Sequence, residues 1–329
     1  MKARPPRWLL APALWAAALL SAFGSEPVEV KPAGQTVVVL VGGRPFTTYS
    51  FDPSIAKPFL WPLRSAQGTV VTRSFPMDAA VAGEDRDEPH QRALFFAHGR
   101  INGLDFWNEF AFAKWSGHAR ESAFGRTVFR QLDEARGGPD SGSLRAEFDL
   151  VDSTGALVGG ETQAYVVLGG ADTRIIDCEF TLRASHGPLT LGDEKDGTFG
   201  IRLVKALDSP PGRMVNSEGG VGEKQIWGQR ADWVDYDGEV AGESLGVAVF
   251  DSPLNFRHPT TWHARAYGLL AANPFGLSFF TRDRSQDGSY TIPAGGALTL
   301  RYRVFIHHGD YRQAGVAAAY AEYEKASRP

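Results

Sequence analysis

Three segments of the sequence concentrate the residue types that bind and transform polar substrates. The first spans residues 85–107 and contains an apolar stretch at 93–97. If that stretch is a strand extending both ways, His90, Arg92 and His98 project to one face. Such a site would use His98, or His90 as a second candidate, as proton donor, and Arg92 would position an oxygen-bearing substrate beside Asn102. The alternative, a surface loop with one hydrogen-bonded buried histidine, stays open.

The second segment is a charged turn at residues 192–197, between two apolar stretches. Asp196 or Glu194 offers a carboxylate base, and the ammonium group of Lys195 beside it would lower the pKa of that base. The alternative is a solvated hairpin tip, which is the commoner structure for such charge runs.

The third segment, at residues 227–265, alternates tryptophan with hydrogen-bonding side chains. A sugar ring has an apolar CH face and a rim of hydroxyls, so flat indoles next to directional polar groups suit a carbohydrate. The alternative is tryptophan packed in the core between sheets. The candidate binding residues are Trp227, Arg230, His258, Trp262 and His263.

Two further motifs are set aside. Ser244 lies in a G-x-S-x-G match, but a polar turn precedes it and an apolar strand follows, so we predict a hairpin turn there. The glycine-rich stretch at 216–224 lacks the Gly-Lys-Ser/Thr ending that binds phosphates.

The elements that must position these segments are mostly strands. Apolar residues alternate with polar ones at 144–150, 176–184 and 298–306, as in half-buried antiparallel strands. We predict an all-β protein of packed antiparallel sheets with one C-terminal helix at 311–325. Further strands are predicted at 36–41, 69–75, 93–97, 164–168, 189–191, 199–204 and 246–250.

The pattern of residues 1–24 predicts a secretory signal peptide. Basic residues precede an apolar run from Trp8 to Leu20, and small residues follow it. The run is shorter than the roughly 20 residues that cross hydrocarbon, which disfavours a retained anchor. Residues 25–329 are then a single exported domain, periplasmic or extracellular, with no membrane association after cleavage.

Charge and cysteine content exclude some partners. The net charge is −4 with both signs interspersed, so no nucleic acid is expected. Cys178 is the only cysteine, which rules out an internal disulfide, and its place on an apolar strand face predicts a buried thiol.

Long stretches of the chain resemble the DUF6807 family, whose members often carry the label "methane oxygenase PmoA". They are LWPLRSAQGTVVTRSFPMD, DEPHQRALFFAHGRINGLDFW, GDEKDGTFGIRL, MVNSEGGVGEKQIWGQRADWVDY and LNFRHPTTWHARAYGLLAANPFG. The family pattern has further histidines around the one matched by His90, whereas this chain has Glu88 and Gln91. That departure weakens any metal or paired-histidine mechanism at this motif.

The label implies a metal-dependent oxygenase, and His90, His98, His258 and His263 are the imidazoles available for copper. The membrane methane monooxygenase subunit is a bundle of spanning helices, which this chain lacks. We predict no cofactor, with a metal left open. At the level of the fold the chain also resembles the galactose mutarotase-like supersandwich, in which a His acid and a carboxylate base act on a sugar.

From these observations we expect an antiparallel β-supersandwich fold. We expect the protein to act on a carbohydrate or other small molecule by acid–base chemistry, as an epimerase, lyase or hydrolase. A non-catalytic carbohydrate-binding module is the second hypothesis, and a metal-dependent oxygenase is the third.

Export has a direct test. If the signal peptide is cleaved after Gly24, the protein secreted by its native host begins at Ser25. Intact-mass measurement should give the mass of residues 25–329. A mass that includes residues 1–24 would contradict export by this route.

Overall fold

The computed structural model describes residues 25–113 and 120–327, and the predicted signal peptide lies outside them. In chain order the strands are β1 (Val28–Ala33), β2 (Thr36–Val41), β3 (Arg44–Ser50), β4 (Phe59–Trp61), β5 (Leu94–His98), β6 (Arg126–Arg136), β7 (Ser141–Val151), β8 (Leu157–Gly169), β9 (Thr173–Arg183), β10 (Leu189–Leu191), β11 (Gly197–Arg202), β12 (Arg213–Asn216), β13 (Trp233–Val240), β14 (Glu243–Asp251), β15 (Trp262–Ala264), β16 (Leu269–Ala272), β17 (Tyr290–Ile292) and β18 (Ala297–His308). The helices are α1 (Phe110–Ala113), α2 (Glu223–Ile226), α3 (Leu277–Phe280) and α4 (Val316–Ser327).

The strands form two large antiparallel sheets. The first sheet has the order β1-β2-β3-β4-β5-β11-β16-β15, and the second has the order β12-β13-β14-β18-β9-β8-β7-β6. A small third sheet pairs β10 with β17. The all-β prediction of packed antiparallel sheets is confirmed.

The two large sheets pack face to face through aromatic side chains. The ring of Phe96 on the first sheet stacks on Phe180 of the second, with ring centroids 4.3 Å apart. Phe199 stacks in the same way on Tyr302, at 4.7 Å. Cys178 is buried in this core, as predicted. Burial of these apolar faces is the main source of stability in a chain without a disulfide.

The alternation of apolar and polar residues predicted the long strands well and the short strands less well. The stretches at 144–150, 176–184 and 298–306 lie within or overlap β7, β9 and β18. The stretch at 69–75 is not a strand, because only isolated bridges at Val70 and Thr72 pair it with other segments. A two-residue turn joins β13 to β14 and Ser244 is the second residue of β14, which confirms the hairpin prediction.

The C-terminal helix begins later than predicted. Residues 311–315 form a turn in which the Asp310 carboxylate accepts hydrogen bonds from the backbone N–H groups of Arg312 and Gln313. Gly315 has a φ of 65°, which suits glycine, and the helix follows it at Val316. It packs on the outer face of the second sheet, where Tyr320 contacts Phe250 edge to face.

Strand pairing assigns the side chains of the first sheet to two faces. Phe96, Phe199 and Trp262 share the inner, core-facing side. The outer side carries Phe95 and Ala271, which are covered by further apolar residues. Because side chains alternate along a strand, His98 belongs to the inner side and His263 to the outer one.

No helix within residues 25–113 and 120–327 is long and apolar enough to cross a membrane.

Candidate functional site

The turn between β10 and β11, residues 192–196, is held by side chains from three neighbouring segments. The ring Nε2–H of His98 donates to the Gly192 carbonyl at 2.8 Å. The side-chain amide of Asn273 donates to the carbonyls of Glu194 and Lys195, at 2.8 and 2.9 Å. Nδ1–H of His263 donates to the same Lys195 carbonyl at 3.0 Å. We call residues 192–196 the clamped turn.

Two glycines let the clamped turn approach β5 closely. His98 pairs with Gly197, and a Cβ at Gly197 would overlap the His98 ring. The Gly99 N–H donates to the Asp196 carbonyl at 2.7 Å, and a Cβ at Gly99 would lie 2.9 Å from Cγ of Glu194. Both contacts require residues without side chains at these positions.

This arrangement brings the second and third predicted segments together on the outer side of the first sheet. Lys195 Nζ lies 2.8 Å from Asp196 Oδ2, and Asp196 Oδ1 lies 3.7 Å from Nδ1 of His263. The indole of Trp227 meets the His263 ring edge to face, with centroids 6.4 Å apart. We call Glu194, Lys195, Asp196, Trp227 and His263 the His263 cluster.

The His263 cluster is open on its charged side. The side chains of Lys195 and Asp196 are 39% and 22% exposed, whereas His263 beneath them is 3% exposed. The half-buried Trp227 indole N–H has no hydrogen-bond partner among the described residues. A ligand resting on the cluster would therefore meet charged groups and the exposed part of an aromatic ring.

Burial sets the protonation states in the cluster. It lowers the pKa of His263 to about 4, although Asp196 opposes this, so the ring is neutral at pH 7. Because Nδ1 donates to a carbonyl, Nε2 carries the lone pair and accepts hydrogen bonds. Burial, and then the charge of Asp196, raise the pKa of Glu194. Glu194 and Asp196 are thus neighbouring carboxyl groups in different environments.

His98 occupies a different side of the sheet from the cluster. Its ring is 1% exposed and contacts Phe275 in the core edge to face. Burial lowers its pKa to about 4, and its Nδ1 has no partner among the described residues. The sequence-based role of His98 as a proton donor stays a prediction. Its hydrogen bond to the Gly192 carbonyl holds the clamped turn.

His90 and Arg92 lie on the outer side, in a buried ionic network. Arg92 binds Glu109 through two hydrogen bonds of 2.7 and 2.8 Å, and Lys57 Nζ lies 3.1 Å from the same carboxylate. Burial, and then the charge of Lys57, lower the pKa of His90 to about 3. Lys57 and Glu109 were missed in the sequence, although each is a charged residue within an apolar stretch, a pattern typical of buried ion pairs.

The remaining predicted site residues lie apart from the His263 cluster and make different contacts. Trp262 is fully buried in the core, with its Nε1–H donating to the Ala231 carbonyl at 2.9 Å. Arg230 is exposed and donates to the Arg257 carbonyl. Asn102 is exposed, and its amide bonds Pro188 and Thr190 at the small sheet. His258 belongs to a separate group with Asp251 and Asp232.

The described residues do not fit the copper centre that the family label implies. His90 lies beside Lys57 and Glu109, His98 faces the core, His263 faces outward and His258 pairs with Asp251. Within residues 25–113 and 120–327, no three His, Cys, Asp or Glu side chains are grouped as metal ligands.

Two packed antiparallel sheets with a charged, tryptophan-flanked cluster on an outer face define a β-sandwich protein with a candidate small-molecule site. The chain belongs to the DUF6807 family, a family of unknown function, whose model matches residues 36–321. The predicted family is thereby confirmed. No curated protein matches the chain.

Solved structures similar to the chain include a galactose mutarotase-like protein from Clostridium acetobutylicum. It shares 10% identity, with 86% of this chain and 99% of that chain covered and a TM-score of 0.43. A putative aldose 1-epimerase from Escherichia coli K12 shares 11% identity over 85% and 99% of the chains, with a TM-score of 0.35. GH36 α-galactosidase AgaA from Geobacillus stearothermophilus shares 9% identity. The match covers 86% of this chain but 41% of AgaA, with a TM-score of 0.41. These likenesses concern the fold alone.

The buried ionic network gives a stability prediction. Glu109→Gln leaves Lys57 and Arg92 without their buried counter-charge, so we expect the free energy of unfolding at pH 7 to fall by about 3–5 kcal/mol. Although burial opposes it, the charge of Lys57 and the hydrogen bonds of Arg92 lower the pKa of Glu109 from 4.5 to about 2. Its stabilising effect is complete above pH 4.5 and is lost as the pH falls towards 2.

Urea unfolding at several pH values measures this effect. The difference between wild type and Glu109→Gln should shrink below pH 4.5. Glu29→Gln, in an exposed pair with Lys31, is the matched control and should change stability by less than about 1 kcal/mol. Equal stability of wild type and Glu109→Gln at pH 7 would contradict the assignment.

Proposed function

We propose that the protein acts on a sugar by proton transfer at the His263 cluster. One observation carries the proposal: a carboxylate, a second carboxyl group with a raised pKa, an ammonium group and a neutral imidazole converge beside a partly exposed tryptophan. Acid–base chemistry needs a donor and an acceptor of different proton affinity within reach of one ligand. Trp227 supplies a flat face for the CH side of a sugar ring.

The simplest reaction that this group supports is interconversion of the anomers of an aldose. Asp196 removes the proton of the anomeric hydroxyl while Glu194 protonates the ring oxygen, so that the ring C–O bond breaks and a carbonyl forms. Closure on the other face of the carbonyl returns both protons. Lys195 stabilises the Asp196 carboxylate at 2.8 Å, and Nε2 of His263 accepts a hydrogen bond from a neighbouring hydroxyl.

In this proposal His98 is a positioning residue. Its hydrogen bond to the Gly192 carbonyl supports the clamped turn from the core side. Glutamine retains an N–H donor of similar reach, whereas alanine removes it. Activity that survives His98→Gln better than His98→Ala therefore separates positioning from direct proton donation, which requires the imidazole.

A non-catalytic carbohydrate-binding module is the second candidate, favoured by the aromatic ring of the half-buried Trp227. Wild-type protein would then bind a sugar without transforming it, and Trp227→Ala would abolish binding. Trp262→Ala is not diagnostic, because that side chain fills the core. We further propose that the protein works outside the cytoplasm, on the sequence evidence of its N-terminus, and the mass measurement described above tests this.

Polarimetry on freshly dissolved α-D-glucose, α-D-galactose and the corresponding hexuronates tests the catalytic proposal. We expect wild type to accelerate the change of rotation for at least one of these sugars. Asp196→Asn removes the base and should lower kcat by at least about 100-fold. Glu239→Gln neutralises an exposed carboxylate on the second sheet and should leave the rate unchanged.

Two results would contradict the proposal. Wild type would fail to accelerate any of these interconversions, or Asp196→Asn would retain the full rate while folding normally by circular dichroism. The first result together with sugar binding would support the binding module.

A further inference from the structure

A second polar group lies at the end of β14, outside the His263 cluster. The fully buried carboxylate of Asp251 accepts hydrogen bonds from Nδ1–H of His258 at 2.8 Å, from the Asn255 amide at 2.7 Å and from the Thr260 N–H at 2.8 Å. These bonds fix the imidazole ring with its proton on Nδ1. Nε2 then faces Asp232, whose Oδ1 lies 3.5 Å away.

The environment of His258 keeps its ring available for proton exchange. Burial lowers the pKa of His258, but the hydrogen bond and charge of Asp251 outweigh this, and the pKa is raised. The charges of Asp232 and of Glu324 on α4 act in the same direction. The His258 side chain is 20% exposed.

A cleft of about 290 Å³ opens in the segment that leads to Asp232. Its lining is almost entirely polar and comes from the last residue of β12 and the stretch between β12 and β13. We call it the amide cleft, and its lining residues are Asn216, Glu218, Gly219, Gly220, Gln225, Gln229 and Arg230.

Hydrogen bonds connect the amide cleft to the His258 group. Ser217 Oγ accepts the Asp232 N–H at 2.9 Å and donates to the Glu218 carboxylate at 3.0 Å. On the other flank, Arg230 donates to the Arg257 carbonyl, immediately before His258, at 2.8 Å. These bonds link the lining residues Glu218 and Arg230 to the backbone at Asp232 and next to His258.

The lining defines the chemistry of a ligand. Side-chain amides both donate and accept hydrogen bonds, which matches hydroxyl groups that do the same. The one carboxylate and one guanidinium in the lining balance in charge, so nothing selects an anion. A cleft of this size lies at the lower limit of small-ligand pockets, which start at about 300 Å³, and suits a ligand no larger than one sugar ring. A neutral hexose meets these requirements, with hydroxyls for the amides and no charge to compensate.

We propose that the amide cleft is a second ligand site, separate from the His263 cluster, that binds a neutral hexose with His258 and Asp232 at its edge. The site does not depend on catalysis at the His263 cluster.

Titration of the ¹⁵N-labelled mature protein with D-glucose, D-galactose and D-mannose tests the proposal. We expect at least one hexose to shift the side-chain amide resonances of Gln225 and Gln229. Gln229 is exposed, so Gln229→Ala should fold normally and weaken binding about fivefold or more, as expected for loss of a hydrogen bond. Glu218→Gln provides a second, conservative change in the lining.

Asp196→Asn separates this site from the proposed catalytic one. It should leave the shifts of Gln225 and Gln229 unchanged, even where it abolishes turnover. The proposal is overturned if none of the three hexoses shifts these resonances, or if Gln229→Ala and Glu218→Gln both bind like wild type. Loss of the same shifts in Asp196→Asn would also overturn it, since it would indicate a single site.

Discussion

The clamped turn is the constraint on which the candidate site depends. Three backbone carbonyls of the turn, at Gly192, Glu194 and Lys195, accept hydrogen bonds from His98, Asn273 and His263. Buried carbonyl groups need such partners, because an unpaired one loses its interaction with water without replacement. Since the donors come from β5, from β15 and from the end of β16, the turn can adopt its position only when these strands are aligned. The charged side chains of the turn are placed as a result.

Strand register decides which histidines share a site. The pairing of His98 with Gly197 and of His263 with Ala271 puts the two rings on opposite sides of one sheet. A shift of one residue in either pair would exchange the sides. The same pairing explains why two histidines with similarly low pKa values have different contacts. His98 supports the turn from the core, whereas His263 forms the floor of an open polar cluster.

Much of the fold could be predicted from the sequence, whereas less of the candidate site could be. Alternation over many residues indicates a strand such as β9 because one face is buried along its whole length. The strands β15 and β16 are only three and four residues long and buried throughout, so they show no alternation. The contact between His263 and the turn links residues 68 positions apart, and it follows from sheet order that composition does not reveal. Lys57 and Glu109 had a local signal, a charge within an apolar stretch, but their pairing with Arg92 required the fold.

A crystal structure of residues 25–329 soaked with the hexose or hexuronate that binds best would show whether a sugar binds at the His263 cluster. We expect sugar hydroxyls within hydrogen-bond distance of the Asp196 carboxylate and of Nε2 of His263, with the sugar ring against Trp227. Density for the sugar elsewhere on the chain, with no sugar at the His263 cluster, would contradict it.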